Sequence, residues 1–126
     1  MVEQSFTGGT TVLVAEDEAL VRMVTADYLR EAGYRVVEVS NAAEALKELE
    51  NTSDVRVLLT DVEMPGGMEG LELAREVQRR WPGIVILVTS GRVRPVGDEL
   101  PGNIGFFQKP VREQAVVQAI KERLER

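Results

Sequence analysis

The strongest constraint on the fold of this chain is an alternation between short apolar runs and longer stretches with helical spacing. The apolar runs cover residues 11–15, 35–39, 55–60, 84–89 and 104–107. Apolar residues recur with the spacing of an amphipathic helix over 18–32, from Asn41 onward, over 70–80 and over 111–124. Strands that are buried on both faces of a parallel sheet read as continuous apolar runs. The sequence therefore predicts an α/β fold of three layers, a five-stranded parallel sheet with helices on both faces.

Local signals mark where several of these helices begin and end. Gly33 follows the first helical stretch as a stop signal, and Asn41 begins the second with Glu44 as its capping-box partner. The segment RVRPVGDELPGN, residues 92–103, lies where a further helix is expected between the fourth and fifth strands. Because it contains two prolines and two glycines, that fourth helix is predicted to be short, at Val96–Leu100, or absent.

Polar and charged side chains follow four of the predicted strands at the point where each strand ends. They are Glu16 and Asp17 after the first, Asp61 after the third, Thr89 and Ser90 at the fourth, and Lys109 after the fifth. The carboxyl ends of parallel strands meet at one edge of the sheet, where ligands bind in open α/β folds. These side chains are therefore predicted to form one site.

Clustered carboxylates limit the chemistry of such a site. Two like charges about 4 Å apart repel by about 4 kcal/mol at an effective dielectric near 20, so the cluster either holds protons or binds a cation. Hard oxygen ligands select Mg²⁺, Mn²⁺ or Ca²⁺. Carboxylates, a divalent cation, a lysine and a hydroxyl together indicate phosphoryl transfer, with a carboxylate as the nucleophile.

The composition excludes several other classes of function. The chain has no Cys and no His, which excludes disulfides, thiolate zinc sites, cysteine nucleophiles and histidine-based catalysis. A net charge of −6 argues against direct binding to nucleic acid or to an anionic membrane. No apolar stretch approaches the roughly 20 residues that span a bilayer. Residues 1–9 lack signal-peptide features and are expected to be a disordered lead-in to one domain at 10–126, with the cytoplasm as the default location.

Four motifs in order resemble the receiver domain of two-component response regulators. They are Glu16-Asp17, Asp61 in DVEMPGGMEG, the hydroxyls in VTSG, and Lys109-Pro110 after an aromatic residue. The resemblance covers residues 11–124 and implies a flavodoxin-like fold. It also implies that Asp61 accepts a phosphoryl group from a phosphohistidine of a sensor or hybrid histidine kinase, or of a phosphotransfer protein. The domain would then be a phosphoacceptor with slow self-dephosphorylation rather than an enzyme with a diffusible substrate.

The same resemblance implies a role for each site residue. Mg²⁺ would be bound by Asp17, Asp61 and the backbone carbonyl of Glu63, with Glu16 acting through water. Lys109 would contact a phosphoryl oxygen, and the Lys109-Pro110 bond is often cis in this family.

A conformational switch is the second set of roles that the resemblance implies. Ser90 would hydrogen-bond the phosphoryl group and draw its loop inward, with Thr89 as the less favoured alternative one residue earlier. Phe106 occupies the place of the aromatic residue that turns inward when the hydroxyl moves. This switch would change a surface that binds a downstream protein.

Several alternatives stay open at the level of sequence. One is a Mg²⁺-dependent phosphatase with an aspartyl nucleophile, although such enzymes carry Asp-x-Asp where this chain has Glu16-Asp17-Glu18. Another is a receiver-like interaction domain that is never phosphorylated. The chain could be a free-standing regulator or one part of a hybrid kinase, and it is expected to be a monomer or a weak dimer.

Overall fold

The computed structural model describes residues 9–64, 70–91 and 103–125. Within them the elements follow the order β1 Thr11–Ala15, α1 Ala19–Glu31, β2 Arg35–Val39, α2 Ala42–Asn51, β3 Val55–Asp61, α3 Gly70–Arg80, β4 Val85–Ser90, β5 Gly105–Gln108 and α4 Glu113–Leu124. The predicted short helix at Val96–Leu100 lies outside the described residues, as does nearly all of the predicted lead-in. The division into a lead-in and one domain stays a prediction.

All five strands are parallel and lie in the order β2-β1-β3-β4-β5. The predicted fold class is confirmed. Strand β1 lies between β2 and β3 in the sheet, because the chain passes from β2 beyond β1 before it forms β3. The carboxyl ends of β1, β3 and β4 are therefore neighbours, and these are the strands that carry most of the predicted site.

Each face of the sheet has its own apolar core. Alternate strand residues such as Leu13 and Leu58 pack against α2 and α3, whereas Val14 and Leu59 pack against α1 and α4. Because successive side chains of a strand point to opposite faces, an apolar run of five or more residues supplies both cores. The near-continuous apolar strands of the sequence are explained by this double burial.

The predicted helix ends are largely confirmed. The Asn41 side chain accepts a hydrogen bond from the Glu44 backbone N–H at 2.8 Å, and the Glu44 carboxylate in turn accepts one from the backbone N–H of Ser40 at 2.9 Å. Gly33 follows α1 with a φ of 101°, a conformation that glycine adopts without strain. Helix α4 begins at Glu113, two residues after the predicted start.

Helix α1 is only partly buried along its apolar stripe, which the sequence places at Leu20, Val21, Val24, Tyr28, Leu29 and Ala32. Tyr28 and Leu29 are buried, but Leu20 is 72% exposed and Val24 is 48% exposed. Helical periodicity correctly identified the helix, since it depends only on spacing. Which turns of that helix are covered depends on its neighbours in three dimensions.

No helix within the described residues is both long and apolar enough to cross a membrane.

Candidate functional site

Three carboxylates meet at the carboxyl edge of the sheet. Oxygen atoms of Glu16, Asp17 and Asp61 all lie within 4.8 Å of one another. Glu16 and Asp61 are only 4% and 5% exposed, whereas Asp17 is exposed. Their closeness follows from the pairing of β1 with β3, which brings the residues after Ala15 beside the end of β3 at Asp61. The predicted acidic cluster is therefore present as a group with one side open to solvent.

Lys109 supplies the positive charge at this edge. Its Nζ lies 2.8 Å from Asp61 Oδ2 and 3.4 Å from Glu16 Oε1. Burial disfavours the charged form of Lys109, but the hydrogen bond and the negative charge of Asp61 outweigh it, so the pKa of Lys109 is raised. The lysine is therefore fully protonated at neutral pH and directed at the Asp61 carboxylate.

The backbone around Lys109 fixes its position. Its N–H donates to the carbonyl of Ser90 at 2.7 Å, which continues the pairing of β4 with β5 by one residue. The Lys109-Pro110 peptide bond is cis, as the resemblance implied.

Glu16 is the carboxylate most altered by its surroundings. Burial raises the pKa of Glu16 from its ordinary value of 4.5 to about 7. A hydrogen bond from the Glu18 backbone N–H, 3.1 Å from Glu16 Oε2, opposes this increase, whereas the negative charge of Asp61 adds to it. Glu16 therefore exchanges a proton near neutral pH when no cation occupies the cluster, because a buried carboxylate beside another one is costly.

Asp61 is held by two donors that approach different oxygens. Lys109 donates to Oδ2 at 2.8 Å, and the backbone N–H of Glu63 donates to Oδ1 at 3.1 Å. Both donors therefore orient the carboxylate, whose oxygens would act as the nucleophile. The role of the Glu63 backbone carbonyl as a metal ligand stays a prediction.

The two hydroxyl residues of β4 lie on different sides of the site. Thr89 pairs with Asp61 in the sheet and lines the same groove as Asp61 and Lys109. Ser90 is fully buried, and its Oγ donates to Glu63 Oε2 at 2.6 Å. Which of the two contacts a phosphoryl group stays a prediction, with Ser90 preferred.

The side chain of Glu63 makes contacts that the sequence did not reveal. Its carboxylate accepts hydrogen bonds from Ser90 Oγ and from the Gly91 backbone N–H, the second at 3.2 Å. From sequence, a solvent-facing side chain was as plausible as a specific role. The available signal was its position two residues after Asp61, which places it at the rim of the site.

Phe106 is half-buried on β5 and packs against the core on the α2/α3 side of the sheet. Its neighbour Phe107 packs against the opposite core, on the α1/α4 side. The two side chains therefore lie on opposite faces of the sheet, whereas the switching role of Phe106 stays a prediction.

Gly70 allows α3 to begin directly beside Asp61. A Cβ atom at this position would collide with the backbone carbonyl of Asp61, and the Gly70 N–H donates to the carbonyl of Val62 at 3.0 Å. The close approach of these two backbones is possible only without a side chain. The sequence marked Gly70 as a helix start and gave no sign that it contacts the acceptor strand.

A groove of about 540 Å³ opens beside the carboxylates on the α1/α4 face. Its walls combine Glu16, Asp61 and Lys109 with apolar residues of α1 and of the segment before α4, among them Leu20, Val24, Tyr28, Pro110 and Val111. The site is therefore polar at its floor and apolar at its rim.

Similar proteins agree on the family. The family described as "Response regulator receiver domain" matches residues 12–121. The sensor kinase CckA of Brucella abortus is 35% identical over 123 residues, which cover 94% of this chain but only 13% of that kinase. The chain thus spans a small part of this relative.

Solved structures show the same fold. The receiver domain of the hybrid histidine kinase CckA superposes with a TM-score of 0.76 at 30% identity, covering 90% of this chain and 98% of that one. The response regulator TrrA of Thermotoga maritima, solved in complex with Mg²⁺-BeF, superposes with a TM-score of 0.82 at 24% identity, covering 90% and 98%. This chain belongs to the response regulator receiver domain family, which accounts for nearly its whole length.

Proposed function

We propose that Asp61 accepts a phosphoryl group, in a Mg²⁺-dependent reaction, from a phosphohistidine of a histidine kinase or of a phosphotransfer protein. The phosphorylated domain then binds a downstream protein, after a change that involves Ser90 and Phe106. Thr89 remains the alternative to Ser90. The cytoplasmic location belongs to the same proposal.

The geometry of Asp61 is the observation that carries this proposal. Its carboxylate is buried at a strand end, lies 2.8 Å from the Lys109 ammonium and shares a cluster with Glu16 and Asp17. An ion pair between Asp61 and Lys109 does not by itself explain why two further carboxylates, Glu16 and Asp17, lie beside it. Repelling carboxylates that line a groove are typical of a site that binds a cation and an anion together.

The chemistry is a displacement at phosphorus. An oxygen of Asp61 forms a bond to phosphorus while the P–N bond of the donor phosphohistidine breaks, and the imidazole leaves with the electron pair. Lys109, whose Nζ is 2.8 Å from Asp61 Oδ2, would neutralise negative charge on the phosphoryl oxygens as they are transferred to Asp61. Hydrolysis of the acyl phosphate by water later returns Asp61 to its free form.

The acidic cluster fits a Mg²⁺ ion. Three carboxylates offer hard oxygen ligands within 4.8 Å of one another, and the exposed Asp17 leaves an entry from solvent. Asp17, Asp61 and the Glu63 carbonyl would bind the ion directly, and Glu16 would contact it through a bound water. The ion would supply positive charge that offsets the repulsion between the carboxylates and the phosphoryl group.

The phosphodonor must reach Asp61 through the open side of the site. Leu20, Met23 and Val24 of α1 are exposed beside the groove, at 72%, 53% and 48%. Exposed apolar side chains grouped next to a reactive residue are typical of a protein-binding surface. These residues are therefore proposed to contact the histidine-bearing partner.

Intact-protein mass spectrometry after incubation with acetyl phosphate tests the acceptor. One phosphoryl adduct is expected with Mg²⁺ and none with EDTA. Asp61→Asn should abolish the adduct, since the amide is a poor nucleophile. Asp54→Asn is the matched control, because Asp54 is an exposed carboxylate just before β3, at the end of the strand opposite Asp61.

The outcomes separate the candidate functions. An adduct that survives in Asp61→Asn would reject Asp61 as the acceptor. Absence of an adduct with both acetyl phosphate and a phosphorylated histidine donor would favour the receiver-like interaction domain. Continuous phosphate release from a phosphomonoester substrate would favour the phosphatase.

A further inference from the structure

The carboxylate of Glu63 connects the phosphoacceptor to the loop after β4. Its own backbone N–H donates to Asp61 Oδ1 at 3.1 Å, while its side chain accepts from Ser90 Oγ at 2.6 Å and from the Gly91 N–H at 3.2 Å. One residue therefore contacts both the acceptor and the hydroxyl proposed to sense its phosphorylation. The inference drawn from this arrangement rests on the proposed function.

The hydroxyl proton of Ser90 is committed in this arrangement. A serine hydroxyl has a single proton to donate, and here it is directed at Glu63 Oε2. A distance of 2.6 Å is typical of a charge-assisted bond between a hydroxyl and a carboxylate. Ser90 cannot donate the same proton to a phosphoryl oxygen until the bond to Glu63 is broken.

We propose that Glu63 is a latch that holds Ser90 and Gly91 in the unphosphorylated arrangement and thereby opposes activation. Phosphorylation of Asp61 releases the latch because the phosphoryl oxygens compete with Glu63 for the Ser90 proton. The strength of the latch then sets part of the free-energy difference between the resting and activated states.

Binding of beryllofluoride with Mg²⁺, measured by calorimetry, reports the cost of opening the latch. Glu63→Gln keeps the size of the side chain but replaces a charged acceptor with a neutral one, which weakens the bond to Ser90. We expect this variant to bind beryllofluoride about tenfold more tightly than the wild type, which corresponds to about 1.4 kcal/mol. Glu18→Gln is the matched control, because it removes an exposed carboxylate from the same sheet edge without touching Ser90.

A double-mutant cycle separates the latch from simple charge repulsion. In a Ser90→Ala background the hydroxyl bond is absent, so Glu63→Gln should change the affinity less than about twofold. A tenfold gain that persists in that background would assign the effect to repulsion between Glu63 and the anion, and would overturn the latch. An equal gain in Glu18→Gln would also overturn it.

Amide hydrogen exchange tests the resting contact without any phosphoryl group. Glu63→Ala removes the acceptor of the Gly91 N–H, so exchange at Gly91 should accelerate by about tenfold or more. Unchanged exchange would overturn the latch. A wild type that binds no beryllofluoride would reject the proposed function and the latch together, whereas wild-type binding that Glu63→Gln leaves unaltered would reject the latch alone.

Discussion

The α2/α3 face and the α1/α4 face of the sheet differ in how completely their apolar residues are covered. On the first, Leu73 and Val77 of α3 are fully buried together with Ala45 of α2. On the second, the described residues include three large exposed apolar side chains, Leu20, Met23 and Val24, all near the start of α1. Both faces contribute fully buried core residues, and the α1/α4 face also carries these exposed side chains beside the carboxylates.

One small domain thus combines a buried core with an accessible surface beside its site. A buried side chain contributes to stability through the water it excludes and the contacts it makes. An exposed one contributes little to folding and is available to a partner. Substitutions and ligands that act on buried or on exposed groups should therefore change the free energy of unfolding by very different amounts.

Leu73→Ala should cause the largest loss of stability. Leu73 is fully buried in the core on the α2/α3 face. Truncating a buried leucine removes apolar contacts and leaves a cavity, which costs about 2–5 kcal/mol. Urea unfolding of the wild type and the variant measures the difference. A loss below about 1 kcal/mol would show that this face is less closed than the structure indicates.

The metal-free protein should lose stability as the pH rises toward 7. The pKa of Glu16 in the folded state, about 7, lies above its ordinary value of 4.5, so the folded state holds the proton more tightly than the unfolded state. The contribution of Glu16 is fully present below pH 4.5 and is lost as the pH rises through about 7. The change amounts to about 3 kcal/mol, because a difference of one between the folded-state and unfolded-state pKa is worth about 1.4 kcal/mol.

Urea unfolding in EDTA between pH 4.5 and 8 measures this dependence. Glu16→Gln should make the free energy of unfolding less dependent on pH. Leu73→Ala should lower the free energy of unfolding by the same amount at every pH in this range. The same slope in Glu16→Gln as in the wild type would assign the titration to another group.

Mg²⁺ should stabilise the folded protein through the acidic cluster. An ion that binds only the folded state at ten times its dissociation constant adds about 1.4 kcal/mol. Asp17→Asn should weaken this effect, and it should disturb the metal-free fold little because Asp17 is exposed. Melting curves with and without Mg²⁺ measure both. A wild-type melting temperature that does not respond to millimolar Mg²⁺ would contradict the metal site.

Leu20→Ser should have the smallest effect on stability. Leu20 is 72% exposed, so its loss should change the free energy of unfolding by less than about 0.5 kcal/mol. The same substitution should slow phosphotransfer from a histidine donor and leave phosphorylation by acetyl phosphate unchanged, because only the protein donor needs the α1 surface. Equal slowing with both donors would place Leu20 in the reactive site rather than on a docking surface.

The sequence predicted the fold well because the fold depends on periodicity. Continuous apolar runs indicated strands that are buried on both faces, and apolar residues spaced three or four apart indicated the helices between them. The capping pair Asn41 and Glu44 was also predictable, since its hydrogen bonds are local in the chain. Lys109 and Asp61 were predicted to meet because each follows an apolar run, and parallel strands bring such positions to one edge.

What stayed hidden depends on contacts between residues that are distant in sequence. The exposure of Leu20 and Val24, the collision that forbids a side chain at Gly70, and the bond between Glu63 and Ser90 all involve neighbours from other elements. Spacing along the chain carries no direct information about such neighbours.

Hydrophobic periodicity and the order of the elements along the chain are enough to predict the layered sheet and the edge at which the carboxylates and the lysine gather. The contact between Glu63 and Ser90 and the open part of the α1 stripe depend instead on how the elements pack in three dimensions. Those features are set by distances of a few ångströms between packed elements, and hydrogen bonds and burial both change sharply over such distances.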